Sequence, residues 1–141
     1  MKRYLLDTNA VSEWTKPTPD AGLLKWFAQC DEDLIYISVI TLAELRRGVA
    51  RMESGRRRLT LDAWLGAELP QRFQGRILGI NESVADAWGE IVAARELMGR
   101  PIAAMDAFIA ATVIVNDMTL VTRNVTDFES SLAQIISPWL K

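Results

Sequence analysis

Four carboxylates stand out by their settings. Asp7 ends the apolar run of "YLLDTNAVSEW", and Glu44 lies within "ITLAELRRGV". Asp106 is the one charge in "PIAAMDAFIAATVIV", and Asp127 sits in "LVTRNVTDFESS". Desolvating an unpaired carboxylate costs several kcal/mol or more, so Asp106 either faces water or is bound by something. The chain has no histidine and one cysteine, Cys30. That excludes Ser-His-Asp and Cys-His catalysis, imidazole or cysteine-rich metal sites, and any disulfide within the chain. Chemistry then falls to carboxylates, whose natural partners are oxygen-loving ions such as Mg²⁺ or Mn²⁺.

Each acid also has a purely structural reading. Asp7 or Asn9 suits a cap for a short helix. Thr41 and Glu44 fit a capping box, and Glu44 with Arg47 fits an i,i+3 ion pair. Asn124 and Asp127 suit turns, as does Asp117. Asp106 fits such a reading least well. Its neighbours at helical spacing are Ile102, Ala103, Ile109 and Ala110, and Ala107 leaves room for close approach.

The elements that must position these residues follow from hydrophobic patterning. Short apolar runs at 3–6, 34–38, 76–80, 119–122 and 134–137 predict buried strands. Helices are predicted over Thr41–Met52, Gly55–Phe73, Glu82–Met98 and Ile102–Val115, with shorter turns after Asp7 and Pro19. Alternating strands and helices imply a parallel sheet covered on both faces. Strand ends and helix starts then meet at one edge, where Asp7, Glu44, Asp106, Asn124 and Asp127 could converge. Carboxylates packed there repel and raise one another's pKa, and a divalent metal relieves the repulsion.

At 141 residues the chain fits one domain, and a half-hydrophobic, quarter-charged composition is that of a globular protein. The net charge of −2 is uneven. Residues 44–76 carry 8 arginines against 4 acids, and the cluster "RRGVARMESGRRR" lies on the one long excursion between strands. That region reads as an arm or clip, about 46–76, able to attract phosphate. A single cysteine, no membrane-length apolar stretch and an N-terminal run too short for a signal peptide point to a cytoplasmic protein.

The motifs, in this order and spacing, resemble those of the PIN-domain ribonucleases, specifically the VapC/FitB-like toxins of type II toxin–antitoxin pairs. "YLLDTNAVSE", "ITLAELRRGV", "PIAAMDAFIAAT", "TLVTRNVTDFE" and "IISPWL" carry the resemblance from Tyr4 to Trp139. It implies a three-layer α/β/α fold with a mostly five-stranded parallel sheet and a helical clip. It also implies an acidic site of Asp7, Glu44, Asp106 and Asp127, with Asp7 and Asp106 as Mg²⁺ ligands. Asn9, Thr122 and Asn124 match supporting positions, and either Asn124 or Asp127 takes the fourth acidic place. Relatives often carry a histidine where this chain reads "IVNDMTLVT". Similar proteins are homodimers held inactive by an antitoxin whose C-terminal tail lies in the active-site groove.

The activity so implied is metal-dependent endonucleolytic cleavage of RNA, with Arg46, Arg56, Arg57 and Arg58 on phosphates. Two rivals stand beside it. An aspartyl phosphotransferase also opens on strand-Asp, but it needs a second acid where Asn9 stands and a lysine that the whole of 34–127 lacks. A catalytically inert module that only binds antitoxin or nucleic acid would not require all four carboxylates.

Overall fold

Alternation along three strands builds the two faces of the protein. Leu5 and Leu120 point into one buried cluster, whereas Leu6 and Val121 point into the other. Ile35 and Ile37 join the second of these, while Tyr36 between them packs on the first. This is the two-residue period of a strand buried on both sides. The computed structural model describes residues 2–140. Its strands are β1 (Tyr4–Leu6), β2 (Ile35–Ser38), β3 (Ile77–Leu78), β4 (Thr119–Val121) and β5 (Ile135–Ile136). They form one parallel sheet in the order β3-β2-β1-β4-β5, with Tyr4 opposite Ile35 and Thr119. The α/β sandwich and five-stranded sheet are those expected.

After β1 come α1 (Thr8–Ser12) and α2 (Ala21–Gln29), and after β2 comes α3 (Val39–Ala50). The excursion to β3 holds α4 (Arg56–Ala63), a π-helical turn (Trp64–Glu68) and α5 (Leu69–Arg72). Thus the long helix expected over Gly55–Phe73 is present but widened in the middle. Pro70 explains the widening: it lacks an N–H and its ring crowds the carbonyl four residues back. The Leu69 N–H bonds to the Trp64 carbonyl, five residues back. The clip does not stand clear of the sheet throughout. Leu65, Leu69 and Phe73 are buried in the main cluster, and only the α4 end, with Leu59 70% exposed, projects.

The other face is covered through α6 (Glu82–Leu97), α7 (Ala104–Asn116) and α8 (Val125–Phe128). Asn81 caps α6, accepting from the Val84 N–H at 2.9 Å, and Gly99 takes the left-handed conformation (φ 69°) that ends it. Asp117 ends α7 in the same conformation (φ 51°), a turn residue as expected. Two helix starts differ from expectation. Helix α7 begins at Ala104 rather than Ile102, because Ala103 is extended (ψ 143°). Helix α3 begins at Val39, capped by Ser38 accepting from the Ile40 N–H at 3.0 Å.

Candidate active site

Asp7 leaves the carboxyl end of β1 and turns straight into α1. Its Oδ1 accepts the Thr8 N–H at 2.8 Å, so the capping reading of Asp7 holds. Its Oδ2 accepts from the Thr122 hydroxyl at 2.8 Å and the Asn9 amide at 3.2 Å. The residue is 4% exposed. Burial pushes its pKa up, and Glu44 adds to this, while the bonds from Thr122, Thr8 and Asn9 hold it down; the rise prevails.

Asn9 and Thr122 form a bracket around that carboxylate. The Asn9 amide also donates to Thr122 Oγ1 at 3.2 Å, and Asn9 Oδ1 accepts the Arg123 N–H at 3.2 Å. Thr122 Oγ1 further accepts the Asn124 N–H at 3.0 Å. One hydroxyl thereby ties the end of β4 to the end of β1 and shapes the turn that carries Asn124.

Glu44 is not the third residue of its helix but the sixth, since Ser38 is the cap. The capping box with Thr41 therefore does not form, and among the described residues no ion pair joins Glu44 to Arg47. Instead Glu44 Oε1 accepts from the Thr8 hydroxyl at 2.6 Å, and Thr41 Oγ1 lies 3.2 Å from that hydroxyl. Glu44 is thus aimed across the sheet edge toward the Asp7 turn.

The late start of α7 makes Asp106 the third residue of the helix, in its first turn, rather than the fifth. The half-buried carboxylate sits where the helix dipole favours negative charge. Even so, its pKa is pushed up to about 6, first by desolvation and then by Asp7, Glu44 and Asp127. All three other acids act on it, and four of the five residues expected to converge at this edge, all but Asp127, do so. Asp7, Glu44 and Asp106 line one cleft of about 340 Å³, together with Asn9, Arg123 and Asn124. Asp127 is exposed and does not line it, whereas Asn124 does.

The arginines expected on phosphate do not line the cleft. Arg46 pairs with Asp62, Arg57 donates to the Thr15 carbonyl at 3.2 Å, and Arg58 donates to the Met52 carbonyl at 2.8 Å. Arg56 is exposed. Much of the arginine cluster holds the clip together. The cleft's cations are Lys16 and Arg123, which sequence reasoning missed, as it missed Thr8. Thr8 and Arg123 lie inside "LLDTNA" and "LVTRNV", so adjacency to the acids was a usable signal. Lys16 lies in "WTKPTP", where nothing in the pattern points to the site.

Among the described residues, no group of three or more His, Cys, Asp or Glu side chains is close enough to hold a metal ion unaided. The donor set nevertheless fits Mg²⁺. It is all oxygen, and Mg²⁺ keeps several waters and is commonly bound through one or two carboxylates. Desolvation first, and repulsion from the neighbouring carboxylates second, disfavour the charge on Asp106, and a bound cation would offset both.

A family model described as the PIN domain matches residues 4–130. The VapC ribonuclease Y4jK of Sinorhizobium fredii is 34% identical over 135 residues, covering 96% of each chain. Toxin FitB of Neisseria gonorrhoeae is 36% identical over 135 residues, covering 96% of this chain and 97% of its own. The solved structure of FitAB bound to an IR36 DNA fragment superposes with a TM-score of 0.90 at 34% identity, covering 98% of this chain and 96% of that one. The chain belongs to the PIN-domain family, among the VapC/FitB-like toxins.

Proposed function

We propose that this protein is a Mg²⁺-dependent endoribonuclease, the toxin of a toxin–antitoxin pair. The observation that carries the reading is the gathering of Asp7, Glu44, Asp106 and the charge of Asp127 at one sheet edge. The similar proteins named as a VapC ribonuclease and toxin FitB support it. Asp7 and Asp106 would hold the ion, with Mn²⁺ able to take its place. Mg²⁺ in such a site supplies charge neutralisation at phosphoryl oxygens and activation of a water for attack on phosphorus.

The protein's own groups do the rest. Thr122, Asn9 and the Thr8 N–H fix both oxygens of Asp7, so its orientation needs no adjustment during reaction. Among the described residues Glu44 Oε2 has no hydrogen-bond partner, which supports it as acceptor of the water's proton. Lys16 and Arg123 are the cations available to the substrate phosphate in the cleft. Water rather than the ribose 2′-hydroxyl is the nucleophile, so the products lack a 2′,3′-cyclic phosphate.

The partners follow from the same reading. An antitoxin would lay its C-terminal tail in this cleft, and the likeness to the solved FitAB structure supports a partner protein. Leu97 (90% exposed), with Met98 beside it, gives the surface apolar area that a homodimer would bury. The reading places the protein in the cytoplasm. Among the described residues no helix is long and apolar enough to cross a membrane.

The test is incubation of single-stranded and looped RNA with purified protein, with Mg²⁺ and with chelator. Wild type should cut only with the ion, and Asp7→Asn should lose about 10²–10⁴ in rate while staying folded. Metal-independent cutting, or full activity in a clean Asp7→Asn preparation, would overturn the assignment. The inert-module rival predicts no cutting and no Mg²⁺ or Mn²⁺ heat by calorimetry.

A further inference from the structure

Beside the carboxylate cleft lies a second cavity of about 500 Å³, within the size range of small-molecule sites. Lys16 and Arg123 line both cavities, so the seam between them is cationic. The far wall is Ser137 and Trp139, which follow β5, the strand next to β4 in the sheet.

The acids of this pocket are committed to its frame. Glu13 is buried, accepts the Asp20 N–H at 2.9 Å and pairs with Lys16 at 3.0 Å. Burial works to raise its pKa, but the Asp20 N–H, Lys16 and the Trp139 indole outweigh that and keep it low. Asp20 Oδ2 accepts the N–H groups of Leu23 at 3.0 Å and Leu140 at 3.1 Å. The chain around Trp139 is pressed onto α2 at Gly22, where a Cβ would come within 2.4 Å of the Pro138 carbonyl oxygen. Trp139 also packs on the core, which fixes its ring.

The buried Trp139 indole N–H is turned toward the Glu13 carboxylate, and two polar groups remain uncommitted. Neither the Ser137 hydroxyl nor the Arg123 guanidinium has a protein partner among the described residues. A rigid pocket with an aromatic wall, free hydrogen-bonding groups and a cationic lip shared with a phosphodiester-cleaving cleft suits one ligand class. We propose that it seats a single nucleotide of the RNA next to the scissile phosphate, with phosphate on Lys16 and Arg123 and the base against Trp139. This rests on the ribonuclease reading of the adjoining cleft and makes Trp139 and Ser137 specificity-determining residues. A basic peptide is the poorer fit, because Glu13 already holds Lys16 and Asp20 already caps α2.

The experiment is titration of the ¹⁵N-labelled chain with each of the four ribonucleoside 5′-monophosphates, read at the indole N–H resonances. Trp139→Phe assigns the signal. The Trp139 resonance should shift saturably with at least one nucleotide and not with inorganic phosphate. Arg123→Ala and Lys16→Ala should each weaken that binding about tenfold. No shift at millimolar nucleotide overturns the proposal. So does an equal shift from inorganic phosphate, or a shift from an arginine-rich peptide alone. Since binding needs no hydrolysis, the two readings separate. A protein that cuts RNA with an unmoved Trp139 signal loses the pocket and keeps the nuclease. One that binds nucleotide without cutting any RNA loses the nuclease and keeps the pocket.

Discussion

Asp106 meets two opposed influences. The first turn of α7 favours its charge, while desolvation and three like charges disfavour it, and the second effect wins. The linkage to stability has a definite sign. With a folded pKa of about 6 against an ordinary 3.8, the native state binds more protons between those values. The protonated side chain's contribution is fully present below pH 3.8 and is lost as pH rises through 6. Asp106→Asn should therefore stabilise the metal-free protein at pH 7.5 by about 1 kcal/mol, discounted for partial exposure, or about 3 °C in melting temperature. At pH 3.5 the gain should vanish, which thermal melts at the two pH values will show. Thr122→Val removes the hydroxyl that brackets Asp7. It should cost about 1–3 kcal/mol in denaturant unfolding and about 10- to 100-fold in cleavage rate. The anomaly of Asp106 was visible in the sequence because one charge interrupts an apolar run. The partner of Glu44 was not, because the Thr8 hydroxyl lies 36 positions away and local spacing offered Thr41 instead.

At the scale of elements, the site depends on where helices start. Moving the start of α3 to Val39 turns Glu44 from a cap into a cleft residue, and moving the start of α7 to Ala104 brings Asp106 to the edge. Neither shift was legible, since Ser38 both closes β2 and caps α3, and Pro101 could have opened α7. Strands were easier to read. Leu5–Leu6 and Leu120–Val121 carry apolar side chains to both faces, and only a doubly buried strand needs that. The clip combines two kinds of interaction. Phe73 and Leu69 anchor it to the sheet, while Arg46–Asp62 closes it at the surface. Phe73→Ala should destabilise the fold by about 3–5 kcal/mol, whereas Arg46→Ala should cost under about 1 kcal/mol. Chemical denaturation of the two variants separates packing from pairing.

At the scale of the molecule, a chain of net charge −2 must still attract a polyanion. On the proposed function it would do so locally, through Lys16 and Arg123 at the cleft. Replacing both with alanine should weaken RNA binding and flatten its salt dependence by about two phosphate contacts, measurable as the slope of log affinity against log salt. Composition pointed instead to the arginine cluster, because a sum over residues 44–76 does not show which guanidinium groups are already bonded to Asp62, Thr15 and Met52. The central claim is that carboxylates gathered on one sheet edge hydrolyse RNA. Its most direct measurement is end-mapping of cellular RNA after induction of wild type or Asp106→Asn. Wild type should produce new, defined ends lacking a 2′,3′-cyclic phosphate, and the variant, expressed to the same level, should produce none. The same ends from both proteins would contradict the account.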